Sequence, residues 1–137
     1  MGVHPKPVDK IKQKLKEITG RSKSMSMVQR MGKLRQCITG WVNYFNMADM
    51  KMLAKTLDEW LRRRIRMWFW KQWKKIKTRH DHLVKLGIAK SKAWEYANTR
   101  KSYWHTANSP ILARTLTNEY LKKIGFVSVS ERYSLVH

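Results

Sequence analysis

Residues 61–77, LRRRIRMWFWKQWKKIK, set Arg62, Arg63, Arg64, Arg66, Lys71, Lys74, Lys75 and Lys77 beside Trp68, Phe69, Trp70 and Trp73, with no acid in the run. Guanidinium groups grip phosphate through paired hydrogen bonds, and indole rings or guanidinium planes stack on unpaired bases. The chemistry on offer is binding of a polyanion with flat faces. On a helical wheel over 57–77, Leu57, Leu61, Ile65, Trp68, Gln72 and Ile76 share one side. Arg63, Arg66, Trp70, Trp73, Lys74 and Lys77 share the other, with Arg62, Arg64 and Lys71 at the margins, which predicts a nucleic-acid face that mixes cations with two tryptophans. A competing reading packs Trp70 and Trp73 against the rest of the chain and leaves the arginines in solvent. A membrane surface also suits a basic amphipathic helix with tryptophans, but the apolar stripe continues that of the preceding segment, as in a bundle, and basic charge covers the whole chain.

A second binding patch is predicted at Arg100, Lys101 and Trp104, just ahead of Ser109 and Pro110, where the free amides of a helix start attract phosphate. Other constellations are weaker. His80 and His82 are two apart and diverge on a helix, so they are expected as surface residues and not as metal ligands. Asp58 and Glu59 suit helix-dipole partners and ion pairs better than acid–base catalysts. Trp41, Asn43, Tyr44 and Phe45 would make an aromatic platform, yet Trp41 falls on the seam of Met31, Leu34 and Ile38 and is expected in the core. No catalytic, metal or cofactor site is predicted.

The composition agrees with a polyanion partner. Thirty Lys and Arg against nine Asp and Glu leave a formal charge of +21 over 137 residues, which destabilises a compact state unless counterions or an anionic ligand offset it. With 42% hydrophobic residues the chain should nevertheless fold. One cysteine, Cys37, excludes an internal disulfide. The start of the sequence has no signal-peptide pattern and no window is apolar enough for a membrane span, so a soluble cytoplasmic, nucleic-acid-associated protein is expected.

Helices must carry these residues. Val8, Ile11, Leu15 and Ile18 mark one, ended by Gly20. Ser24 or Ser26 caps a second, with Met31, Leu34, Ile38, Trp41 and Phe45 on its seam. After a break at 46–49, Leu53, Leu57, Leu61, Ile65 and Trp68 carry a third helix into the basic run. Further on, Gly87 closes one helix, 90–98 forms another, and a helix with Ser109 as N-cap and Pro110 at its first position runs to Gly125. FVSVS at 126–130 alternates like a strand but is expected as an extended tail. The fold predicted is all-α, a three-helix lobe over 1–80 followed by a smaller, mostly helical lobe over 81–137.

Three stretches, LRQCITGWVNYF (34–45), LDEWLRRRIRMWFWKQWKK (57–75) and NTRKSYWHTANSPILARTLTNEYLKKIGF (98–126), resemble the C-terminal part of group II intron-encoded reverse transcriptase/maturases. The resemblance implies a thumb-like, maturase-specific bundle in the first lobe that binds structured intron RNA and a primer–template duplex, and a DNA-binding segment in the second. It implies help with splicing that the RNA itself performs. The Tyr-x-Asp-Asp motif that holds polymerase metal ions is missing, as is the His-Asn-His endonuclease segment of some members. A maturase module without enzyme chemistry is therefore expected. The alternatives are a fragment of a complete reverse transcriptase, a DNA-binding accessory module for intron mobility, or a module whose basic face docks on an acidic protein.

Overall fold

The computed structural model describes residues 5–20, 26–44 and 50–136, which form helices and, among them, no strand. The helices are α1 (Pro5–Ile18), α2 (Met27–Tyr44), α3 (Met50–Gln72), α4 (Ile76–Lys85), α5 (Lys90–Ala97), α6 (Tyr103–Ala107), α7 (Pro110–Thr115), α8 (Asn118–Lys123) and α9 (Val129–Val136). The all-α expectation holds. Ser24, Phe45 and the expected break at 46–49 lie outside the described residues. Contacts group the chain into two compact units, Met1–Arg62 with Leu121–His137, and Arg63–Tyr120.

In the first unit, most of the described residues of the apolar stripes are buried, with Ile18 and Leu53 half-buried. Ile11 and Leu15 of α1, Met31, Leu34, Ile38 and Trp41 of α2, and Leu57 and Leu61 of α3 form the core with Leu121, Phe126 and Val129. The platform reading of Trp41 ends here, since its ring is interior. Packing brings α2 against α1 and α9. Ser26 supplies the cap of α2: its hydroxyl accepts from the Gln29 amide at 3.2 Å while the Gln29 side chain accepts from the Ser26 amide at 3.1 Å, a reciprocal capping box. Arg30 donates to the carbonyls of Ile18 and Gly20, tying off the end of α1.

The end of the chain departs from expectation. Residues 126–128 have no regular secondary structure, and Val129 begins α9. The cause is Asp58, a buried acid of α3 that accepts from the Ser128 hydroxyl at 2.7 Å and the Val129 and Ser130 amides at 2.6 and 3.0 Å. A carboxylate at a helix N-terminus satisfies orphan amides and meets the positive end of the macrodipole. Asp58 is thus a dipole partner, for a helix seventy residues downstream.

The second unit is made of short pieces. α3 ends at Gln72 and the chain turns through 73–75 into α4, so the basic run is not one helix. The turn lets Trp70 and Trp73 join a core with Leu83, Ala93, Ile111, Leu112 and Leu116. Burying two indoles outweighs the helical hydrogen bonds lost, each of which nets only about 1 kcal/mol. α4 ends as predicted at Gly87, whose φ of 103° allows the paired bonds Gly87 N–H to Val84 O and Ile88 N–H to Leu83 O. The helix expected from Pro110 to Gly125 is two: it breaks at Leu116, and the Thr117 hydroxyl caps α8 by accepting from the Tyr120 amide at 3.0 Å.

Candidate nucleic-acid interface

The arginines of the basic run are committed to the fold. Arg63 donates from Nε and one terminal nitrogen to the Trp104 carbonyl at 3.0 and 2.8 Å, and its guanidinium lies 3.9 Å from the Trp104 ring centre. Arg66 donates to the Leu116 carbonyl and the Asn118 side-chain oxygen, both at 2.8 Å. These bonds take carbonyls that short helices leave without partners. In the first unit, Arg62 lies 5.6 Å from the Phe126 ring centre. Arg64 is half-buried, and desolvation lowers its pKa from the ordinary value.

Trp70 is 1% exposed and Trp73 is buried as well, which corrects the face predicted for them. The wheel put both among cations, but the cation beside Trp70 is Arg79, itself buried. Arg79 stands 4.5 Å from the Trp70 ring centre and donates to the Trp70 carbonyl at 3.3 and 3.1 Å, capping the end of α3 with a positive charge. Trp73 stacks flat on His82, ring centres 4.4 Å apart at 6°. Neither indole presents a face to a base. His80, expected at the surface, is buried and stacked at 3.8 Å on Trp94.

Charge and rings do meet on the outside of the second unit, through other residues. Lys74, Lys77, Arg100 and Lys101 are exposed, as are Lys75, Lys85, Lys90, Lys92 and Arg114. Trp94 is 44% exposed and Tyr103 42% exposed, the large aromatics of this unit open to solvent. Lys71, half-buried, sets its ammonium 5.3 Å from the Tyr103 ring centre. Trp104 is half-buried, one face taken by Arg63. The second patch predicted at Arg100, Lys101 and Trp104 lacks Trp94 and Tyr103, which interleave with Lys90, Lys92, Arg100 and Lys101 in the pattern sought in 61–77.

Ser109 and Pro110 begin α7 as predicted, although the Ser109 hydroxyl makes no capping bond. α7 runs for six residues from that start. No described helix is long and apolar enough to cross a membrane.

The family model for the group II intron, maturase-specific domain matches residues 8–87. The chain belongs to this family. The matched stretch runs from α1 through α4 and contains the whole basic run, so its arginines and the buried Trp70 and Trp73 lie within the maturase-specific domain, while the Trp104 and Leu116 carbonyls that Arg63 and Arg66 take lie beyond it. No curated protein matches the sequence.

Proposed function

We propose that the chain is an RNA-binding maturase module that holds structured group II intron RNA and assists its splicing, with no polymerase chemistry of its own. Membership of the maturase-specific family supports intron RNA as the partner. The observation that carries the contact surface is the outward chemistry of the second unit, where Lys74, Lys77, Arg100 and Lys101 are exposed, the last two next in sequence to the exposed ring of Tyr103, and Trp94 is exposed as well. In this reading Lys71, the exposed lysines and Arg100 neutralise phosphates, and Trp94 and Tyr103 stack on unpaired bases. Arg63, Arg64, Arg66, Trp70, Trp73 and Trp104 act by holding the second unit in shape, and Arg62 belongs to the first. Along the sequence, 1–80 is the maturase-specific part and 81–137 the DNA-binding-like part, so target DNA or a primer–template duplex is the competing ligand.

The test is a titration of the full chain with folded group II intron RNA, unstructured RNA of equal length and duplex DNA at several salt concentrations. The intron RNA is expected to bind tightest, with a steep log–log salt slope that falls by about 0.7–0.9 for each phosphate-contacting lysine removed. Equal affinity for all three ligands would leave a general polyanion binder and refute the maturase reading. Preference for duplex DNA would replace it with an accessory role in intron mobility.

A further inference from the structure

Both histidines of α4 lie flat against a tryptophan of the second unit. In the pair of Trp73 and His82, the indole is the buried partner and the imidazole the half-buried one, the order that burial of apolar surface favours. The pair of His80 and Trp94 has the reverse order. Its imidazole is 8% exposed and its indole 44% exposed, with ring centres 3.8 Å apart at 17°.

The reversal works against the fold twice. Nε2 of His80 is buried without a hydrogen-bond partner, and an unpaired polar atom in the interior is destabilising. The indole, with the larger apolar surface, stays half in solvent while α5 buries Ala93 and Ala97. Stability alone gives no reason for this order of rings. What the arrangement does achieve is to fix the indole. Nδ1 of His80 stands 3.1 Å from Asp81 Oδ1; a carboxylate accepts, so Nδ1 carries the proton and donates, which sets the plane of the imidazole. The Trp94 carbonyl accepts from the Asn98 amide and side chain at 3.2 and 2.8 Å, which holds the backbone that bears the indole. Beyond the imidazole, the indole meets no other ring and no cation among the described residues.

We infer that Trp94, backed by His80, is a one-sided platform on which a single unpaired base of the bound RNA stacks, and that His80 is the positioning residue that holds it ready. The inference rests on the reading of the second unit as an RNA surface. A base suits the open indole in kind, because every base has a flat π-face, and such stacking is tolerant of sequence. Bases inside a duplex keep their faces stacked on one another, so the platform selects unpaired over paired RNA. An indole already held in place spares the RNA from ordering it on binding.

Trp94→Ala should weaken binding of a short unstructured RNA to the full chain about five- to hundredfold, the range for one base–aromatic stack. His80→Ala should weaken it about two- to tenfold, because the RNA must then order a loose indole. Made in the Trp94→Ala chain, the same change should have no further effect. His80→Phe keeps a ring behind the indole and removes the unpaired nitrogen, so it should bind RNA like wild type with a melting temperature that holds or rises. In the full ¹⁵N-labelled chain, the RNA should shift the Trp94 indole N–H, and the same RNA annealed to its complement should leave it unmoved. Unchanged affinity in Trp94→Ala would overturn the platform. A loss from His80→Ala of equal size with and without Trp94 would overturn the positioning role and leave His80 a packing residue. Equal affinity for intron and unstructured RNA, with the expected losses intact, would refute the maturase reading and keep the platform; intron preference with unaffected variants would do the reverse.

Discussion

The two units secure their helix ends with different balances of side chains. In the first, α1 and α2 are 14 and 18 residues long, a single arginine, Arg30, takes carbonyls at the end of α1, and the start of α9 is clamped by an acid, Asp58, gathering its amides. In the second, α4 to α7 are 10, 8, 5 and 6 residues long, and the clamps are arginines that take carbonyls: Arg79 on Trp70, Arg66 on Leu116, Arg63 on Trp104. A helix leaves its last four carbonyls without intrahelical partners whatever its length, so in a helix of six residues most of the backbone acceptors need help. A rigid fork of donors on a long arm meets that need, and a lysine ammonium meets it less well. The second unit sorts its cations accordingly. Arg63, Arg64, Arg66 and Arg79 are half or fully buried, while the exposed set is mostly lysine.

This contrast can be broken experimentally. The largest effect should come from the hydrophobic centre of the second unit: Trp70→Ala removes a ring that is 1% exposed and should cost about 3–5 kcal/mol in a urea titration. In the first unit, Asp58→Ala removes the acceptor of three bonds at once and should cost about 3 kcal/mol, with loss of α9 amide protection in hydrogen exchange. A change below 1 kcal/mol would mean that α9 stands without its acid.

Smaller effects sharpen the division between arginine and lysine. Arg66→Lys keeps the charge but breaks the paired geometry, and should cost about 1–2 kcal/mol of stability with the RNA salt slope unchanged. The double change of Lys74 and Lys77 to alanine should do the converse, leaving the urea midpoint within about 0.5 kcal/mol of wild type while flattening the salt slope by about 1.4–1.8. If both variants altered the same property, the sorting of cations would be wrong.

The smallest effect is on pH. Burial, and then Lys85, hold the His82 imidazole below its ordinary pKa, with Asp81 opposing. A depressed histidine pKa means that the unfolded chain takes up the proton first. The contribution to stability is full above the unfolded value of about 6.5 and is lost as pH falls toward the folded value. His82→Gln should flatten the urea midpoint between about pH 7 and pH 5 relative to wild type, and a profile parallel to wild type would exclude the stack on Trp73 as its origin.

Much of the fold was legible because it is local. The stripes of α1 to α3, the Ser26 cap and the glycine stops at 87 and 125 each follow from neighbours within a few residues. Even the split at Leu116 had a local sign, Thr117 followed by Glu119 in the first turn of α8. What escaped depended on distant partners. FVSVS reads as strand until Asp58 is known to wait for its amides. Trp70 and Trp73 read as an open face until α4 folds back over them, because a wheel assumes the helix continues and α3 stops at Gln72. Of the predicted interface, Arg63 and Arg66 bind carbonyls and Trp70 and Trp73 are buried, while the exposed rings, Trp94 and Tyr103, lie about thirty to forty residues later.

The bond from Asp58 to residues 128–130 also sets an order of events during synthesis. The first unit is discontinuous, and all of 63–120 leaves the ribosome before Ser128 does. At about 5–20 residues per second, the eight residues from Tyr120 to Ser128 give the inserted unit roughly 0.4–1.6 s in which its own residues are present and the closing segment of its host is not. The nascent chain therefore finishes its interior insertion first and locks its outer frame last.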